Sequence, residues 1–81
     1  MLELFQRVAL ATDVPEDGLK RGDVGTLTDF APHPTGGERG CIVEFFNAIG
    51  ESIAVIVVPE SSVEPLRADE IWSVRELVTV V

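Results

Sequence analysis

Glycine and proline cut this chain into pieces that suit strands better than helices. Pro15 and Gly18, Gly22, the run from Pro32 to Gly40, Gly50, Pro59 and Pro65 fall at short, fairly even intervals. Proline removes a backbone donor and glycine frees the backbone to turn, so both end regular elements. Between the breaks lie residues 7–12, 24–30, 41–46 and 52–58, rich in β-branched and apolar side chains. Short runs of this kind joined by Gly/Pro turns predict an all-β fold, a small antiparallel barrel of five to six short strands. At most a single 3-10 or helical turn is expected.

Alternation within the runs assigns faces. In residues 24–30, Gly25 and Leu27 share one face while Val24, Thr26 and Thr28 share the other. In residues 41–46, Cys41, Val43 and Phe45 point to the core and Glu44 points outward. Phe46 projects opposite to Phe45 and is either exposed or covered by another element. Residues 52–58 are apolar almost without a break, which means burial on both faces or one face reserved for a neighbour. After Pro59, "ESSVEPL" predicts one helical turn and a short fifth strand. The tail, "ADEIWSVRELVTVV", places Ile71, Val74, Val78 and Val81 at helical spacing, yet its β-branched ending and Trp72 favour a sixth strand. Its last five residues, "LVTVV", carry no charge or proline and would be an aggregation hazard if left exposed. They are expected to pair within the fold or across a homodimer formed through this C-terminal strand.

A chain of 81 residues has room for one domain, spanning residues 1–81. Such a domain buries roughly 60–65% of the surface of its unfolded chain, so its stability is modest. The single cysteine excludes an internal disulfide, and no oxidising compartment is required. Glu3 stands where a signal peptide carries positive charge, and the longest apolar run is too short to span a bilayer. A cytoplasmic protein is expected.

Fourteen acidic residues against six basic ones give a net charge of −8. Binding a polyanion relies on Lys and Arg releasing condensed counterions, and a surface this negative opposes it. Basic partners, including proteins that themselves bind nucleic acid, fit the charge better.

The most organised stretch is "LKRGDVGTLTDF", residues 19–30. A phosphate-cradling loop needs its glycines at the start of a helix with Lys following them; here Lys20 precedes the glycines and a strand follows. Arg21-Gly22-Asp23 is an adhesion ligand only on an exported protein, which this chain is not expected to be. Gly22 and Asp23 suit a tight turn, and Gly25 suits a close approach of strands. Only Lys20 and Arg21 are left over by that architectural reading.

Catalytic and metal readings find little. One histidine and one cysteine make no metal cluster, and no carboxylate run follows the calcium-loop pattern. His33 lies between two prolines in a loop, and Cys41 alternates into a core face, so a Cys–His nucleophile is disfavoured. Paired carboxylates such as Glu16 with Asp17 and Asp69 with Glu70 read as solvated surface charge. No enzyme, no cofactor and no catalytic residue is expected. The aromatics Phe5, Phe30, Phe45, Phe46 and Trp72 sit among acidic residues rather than interleaved with cations, unlike a stacking platform for single strands. Trp72, near Arg75, either anchors a protein interface or closes one end of the barrel.

Three blocks carry a family resemblance: "RVALATDVPEDGLKRGDVGTLTDF", "VEFFNAIGESIAVIVVPESSVEPL" and "DEIWSVREL". With Leu19, Gly22, Asp23, Gly25, Thr26, Glu44, Phe45 and Gly50 at its points of agreement, the chain resembles DUF4926, a domain-of-unknown-function family of small uncharacterised bacterial proteins. The resemblance runs from about Phe5 to Leu77, with "APHPTGGERG" as its variable part. It implies an SH3-like barrel and no established chemistry. Some members look like partner halves of two-gene toxin–antitoxin-like units. The Gly-Asp-x-Gly-Thr block also looks like the turn of KOW-type barrels of ribosomal and transcription proteins, which contact RNA or proteins but are usually basic.

Two functions are therefore expected to compete. One is an acidic protein-interaction module, of antitoxin or immunity type, that masks a basic, nuclease-like protein encoded nearby. Residues 44–81 hold seven acidic and two basic residues, so its contact surface is placed on Glu60, Glu64, Asp69, Glu70, Trp72 and Glu76. The other is a KOW-like barrel associated with RNA or the ribosome through Lys20 and Arg21.

Overall fold

The computed structural model describes residues 2–77, and its strands fall on the apolar runs between the glycine and proline breaks. Arg7–Leu10 (β1), Val24–Ala31 (β2), Gly40–Phe46 (β3), Ser52–Pro59 (β4) and Val63–Pro65 (β5) form one antiparallel sheet in the order β4-β3-β2-β1-β5. The last strand returns to the first, pairing Val63 with Leu10 and Pro65 with Val8. The protein is all-β with a small barrel-like sheet, in keeping with an SH3-like arrangement. Among the described residues, five strands are present and no helix is long and apolar enough to cross a membrane.

The inner face collects Val8, Leu10, Leu27, Cys41, Val43, Phe45, Ile56, Val58 and Val63. Each comes from an alternating position of its strand, as the period of two requires. Val14 and Leu19 close the core from the β1–β2 connection, where they bridge each other through two backbone hydrogen bonds of 2.9 and 3.1 Å. Between them Pro15–Asp17 forms a 3-10 turn that ends at Gly18 in the left-handed conformation, φ 70°. A second 3-10 turn, Glu60–Ser62, precedes β5. Two such turns are present where at most one was expected, because Pro15 presets the first residue of a turn that glycine can finish.

Strict alternation fails at one place in β2. Leu27 pairs with Val43 but Asp29 pairs with Ile42, so Thr28 is an extra residue, a β-bulge. Its hydroxyl donates to the carbonyl of Ile42 at 3.1 Å. The bulge reverses the phase of the strand. Asp29 is thereby exposed and Phe30 packs against the core, though period-two counting from Leu27 puts them the other way round.

The tail departs from expectation. From Leu66 to Leu77 no residue joins a strand, so the sixth strand is not formed over these positions. The Arg67 N–H donates to Glu70 Oε1 at 2.6 Å, and the Glu70 N–H donates to the Arg67 carbonyl at 3.1 Å. This local turn competes with any ladder just beyond β5. Val78–Val81, and with them most of "LVTVV" and its expected pairing, lie outside the described residues.

Candidate protein-interaction surface

The cations decide what the surface offers, because there are few of them. Arg39 reaches the Glu60 carboxylate with two hydrogen bonds of 3.0 Å and lies over the Phe30 ring, 3.7 Å from its centroid. The Arg39 hydrogen bonds hold the Glu60 carboxyl below its usual range despite some desolvation. Arg67 pairs with Asp69 at 2.9 Å. Arg7 stands over the Trp72 ring, 5.0 Å from its centroid. Arg75 spans back to the β1–β2 connection, donating to both carboxylate oxygens of Asp23 and to the Gly18 carbonyl.

Four of the six cations are thus engaged within the chain. The side chains of Lys20 and Arg21 have no partner among the described residues; their backbone N–H groups donate to Asp23 Oδ2 and Asp13 Oδ1 at 2.8 Å each. They occupy the turn closed by the 3.0 Å bond from the Asp23 N–H to the Lys20 carbonyl, with Gly22 at φ 91°. The turn reading of "KRGD" holds, and these two side chains remain available.

The six residues expected to form the contact surface are spread over three places. Glu60 opens the second 3-10 turn, Glu64 is exposed on β5, and the other four follow in the tail. Asp69 and Glu70 both serve Arg67, one through its guanidinium and one through its N–H. The carbonyl of Glu76 accepts from Arg75. Trp72 is 61% exposed against Arg7, which rules out a plug at one end of the core. No hydrogen bond or ion pair joins these six to one another among the described residues.

The Asp23–Arg75 contact fixes the tail on the fold. Burial alone would raise the Asp23 carboxyl, but the hydrogen bonds from Arg75 and the Lys20 N–H, with both positive charges, outweigh it and lower the pKa. A lowered pKa in the folded state means that the contact stabilises fully above the ordinary aspartate range and is lost as pH falls through the lowered value. Amide resonances of residues 68–77 should therefore move toward unstructured positions below about pH 4, the ordinary aspartate value. An Asp23→Asn variant should show that change already at neutral pH, with faster tryptic cleavage after Arg67. Unchanged cleavage and a flat titration would show that Asp23 does not hold the tail.

A feature that sequence reading left undecided is the outer face of β4. Ile56 and Val58 are buried, while Val55 and Val57 are 60% and 63% exposed and Ile53 and Phe46 are partly so. Residues 52–58 therefore have one face in the core and one uncovered. β4 is also the end strand of the sheet, so one of its backbone edges is unpaired. The signal was the unbroken apolar run.

The groups with reactive side chains lie apart. Cys41 is fully buried on the inner face, where burial pushes its thiol up. His33 is in the exposed 32–39 loop, its Nδ1 accepting the Thr35 N–H at 3.1 Å. No hydrogen bond joins the two. Among the described residues, no group of three or more His, Cys, Asp or Glu is arranged to hold a metal ion.

Comparison with known proteins gives one match, to the family model described as "Domain of unknown function (DUF4926)", over residues 4–65. The matched span covers all five strands and ends at the last residue of β5, so the closing "DEIWSVREL" falls beyond it. No curated protein and no solved structure matches the chain. The chain belongs to the DUF4926 family.

Proposed function

We propose that this chain is a non-catalytic, acidic protein-interaction module of the cytoplasm, an antitoxin- or immunity-type partner for a protein with a basic surface. The observation that carries this reading is the fate of the cations. The net charge is −8; Arg39, Arg67 and Arg75 are paired with Glu60, Asp69 and Asp23 and Arg7 lies on Trp72, which among the described residues leaves eleven of the fourteen carboxylates without an ion-pair partner against only Lys20 and Arg21. Such a field steers a basic partner inward and masks it by occupying its cleft. Glu60, Glu64, Asp69, Glu70, Trp72 and Glu76 are the proposed contacts, with Trp72 as the aromatic anchor. The test is affinity co-purification from the native cell, with identification of what is bound. A basic protein is the expected product; nucleic acid without protein would overturn the reading.

The second reading, a barrel associated with RNA or the ribosome, is favoured by one observation: Lys20 and Arg21 stand adjacent and without side-chain partners among the described residues. It requires binding that weakens steeply with salt. A Lys20→Glu/Arg21→Glu double variant should abolish such binding and leave the fold intact. If wild type shows no RNA or DNA binding at low salt, this reading is dropped.

A further inference from the structure

The uncovered edge of β4 faces something specific. Across from it runs the β1–β2 connection, and between them lies an open groove of about 360 Å³. One wall carries Val55, Val57 and Pro59; the other carries Asp13, Glu16 and Asp17. The lining holds three carboxylates and no cation. Asp13 has one oxygen on the Arg21 N–H, and the carboxylates of Glu16 and Asp17 have no hydrogen-bond partner among the described residues. The groove marks where the sheet leaves an edge open: β4 ends one side of it and β5 the other, with no pairing between them.

An edge strand of this kind is what natural proteins usually protect with lysine, proline or a covering element. Here Ser52–Pro59 runs for eight residues without a charge. An added strand needs unpaired backbone groups for its hydrogen bonds and alternate pockets for its side chains. The β4 edge supplies the first and the exposed valines the second.

From this we infer that the β4 groove takes an extended, lysine- or arginine-bearing segment of the partner protein, added as a strand beside β4. Its apolar side chains lie on Val55 and Val57, and its cations meet Asp13, Glu16 and Asp17. The inference rests on the acidic-module reading and names how that module engages its partner. Charge decides the occupant. A second copy would bring its own net charge of −8, and its Ser52–Pro59 strand carries no cation to set against Asp13, Glu16 and Asp17. A basic segment meets no such repulsion.

Three synthetic peptides about as long as β4 test it on the full chain: alternating Lys-Val, alternating Glu-Val, and alternating Lys-Pro. Lys-Val is expected to bind saturably, with amide shifts confined to residues 12–17 and 52–59. Lys-Pro has the same charge, but proline fixes φ near about −65° and removes the N–H at every second residue, so the peptide cannot hold the pleat of an added strand; it and Glu-Val should not bind. A Glu16→Gln/Asp17→Asn variant should weaken Lys-Val about tenfold, as loss of two facing charges implies. Equal binding of Lys-Pro, shifts elsewhere on the molecule, or a concentration-dependent dimer whose shifts fall on residues 52–59 would each overturn the inference. The two proposals fail separately. A basic protein captured from cells whose binding ignores the Glu16/Asp17 variant sinks the groove alone, whereas the absence of any basic partner sinks the module.

Discussion

Replacing Gly25 by alanine is expected to destabilise the protein by about 3 kcal/mol, the upper end of what overpacking a core usually costs. A Cβ at this position would sit 2.6 Å from Val43 Cγ1, 2.9 Å from the Glu44 carbonyl oxygen and 3.0 Å from Phe45 Cε2. Rotating Val43 removes one of these contacts but not the second, which is backbone. The Glu44 carbonyl belongs to the β2–β3 ladder, where Thr26 is paired with Glu44 and Gly25 with Phe45. Nor is there slack on the other side, since Gly25 also pairs with Val8 of β1. A chain of this length has about 4–12 kcal/mol of total stability, so the loss is a large part of the margin. Urea unfolding should show a lower midpoint with an unchanged slope. A change below about 0.5 kcal/mol, the level of an ordinary surface substitution, would show that β2 and β3 are not held this close. The same experiment separates architecture from function within "KRGDVG", because a Lys20→Glu/Arg21→Glu variant should leave the midpoint nearly where it was.

What could be read from the sequence follows from where local rules act alone. Cys41, Val43 and Phe45 were assigned to the core by alternation, and they are there because nothing interrupts the period in β3. The turn and short strand after Pro59 followed from proline chemistry and appear as Glu60–Ser62 and β5. Phe30 shows the limit. Its inward position depends on the bulge at Thr28, which is set by the pairing register with β3 and is invisible along one strand.

The site was less legible than the fold for a related reason. Composition announced an acidic surface, but only three-dimensional pairing shows that Arg39, Arg67 and Arg75 are spent on Glu60, Asp69 and Asp23. Asp23 and Arg75 are 52 residues apart, so no local pattern links them. The apolar residues of the tail fit two periods, and over the described residues 66–77 polar anchors, Arg67 with Asp69 and Glu70 and Arg75 with Asp23, hold the chain out of a strand. The β4 groove brings residues 12–17 against 55–59, and neither segment carries a motif. Its only trace in the sequence was an apolar run longer than one buried face requires.

Leu27→Ala should be among the most damaging truncations of a strand side chain, at about 3–5 kcal/mol. Leu27 is fully buried, heads the largest inaccessible side chains, and lies one residue before the bulge that turns β2. The surrounding backbone is constrained by ladders on both sides, so the cavity has little freedom to collapse. Against it stands Val57→Ala, on a side chain that is 63% exposed on the outer face of β4, where the expected cost is below about 1 kcal/mol. The contrast carries the functional argument. If β4 has one face in the core and one free for a partner, Val57 contributes little to the isolated fold and much to binding. Urea midpoints of the two variants, set beside Lys-Val peptide titration of Val57→Ala, read both quantities. A Val57→Ala variant as unstable as Leu27→Ala would mean that the outer face of β4 is covered within the chain, and the groove would then have no room for a partner strand.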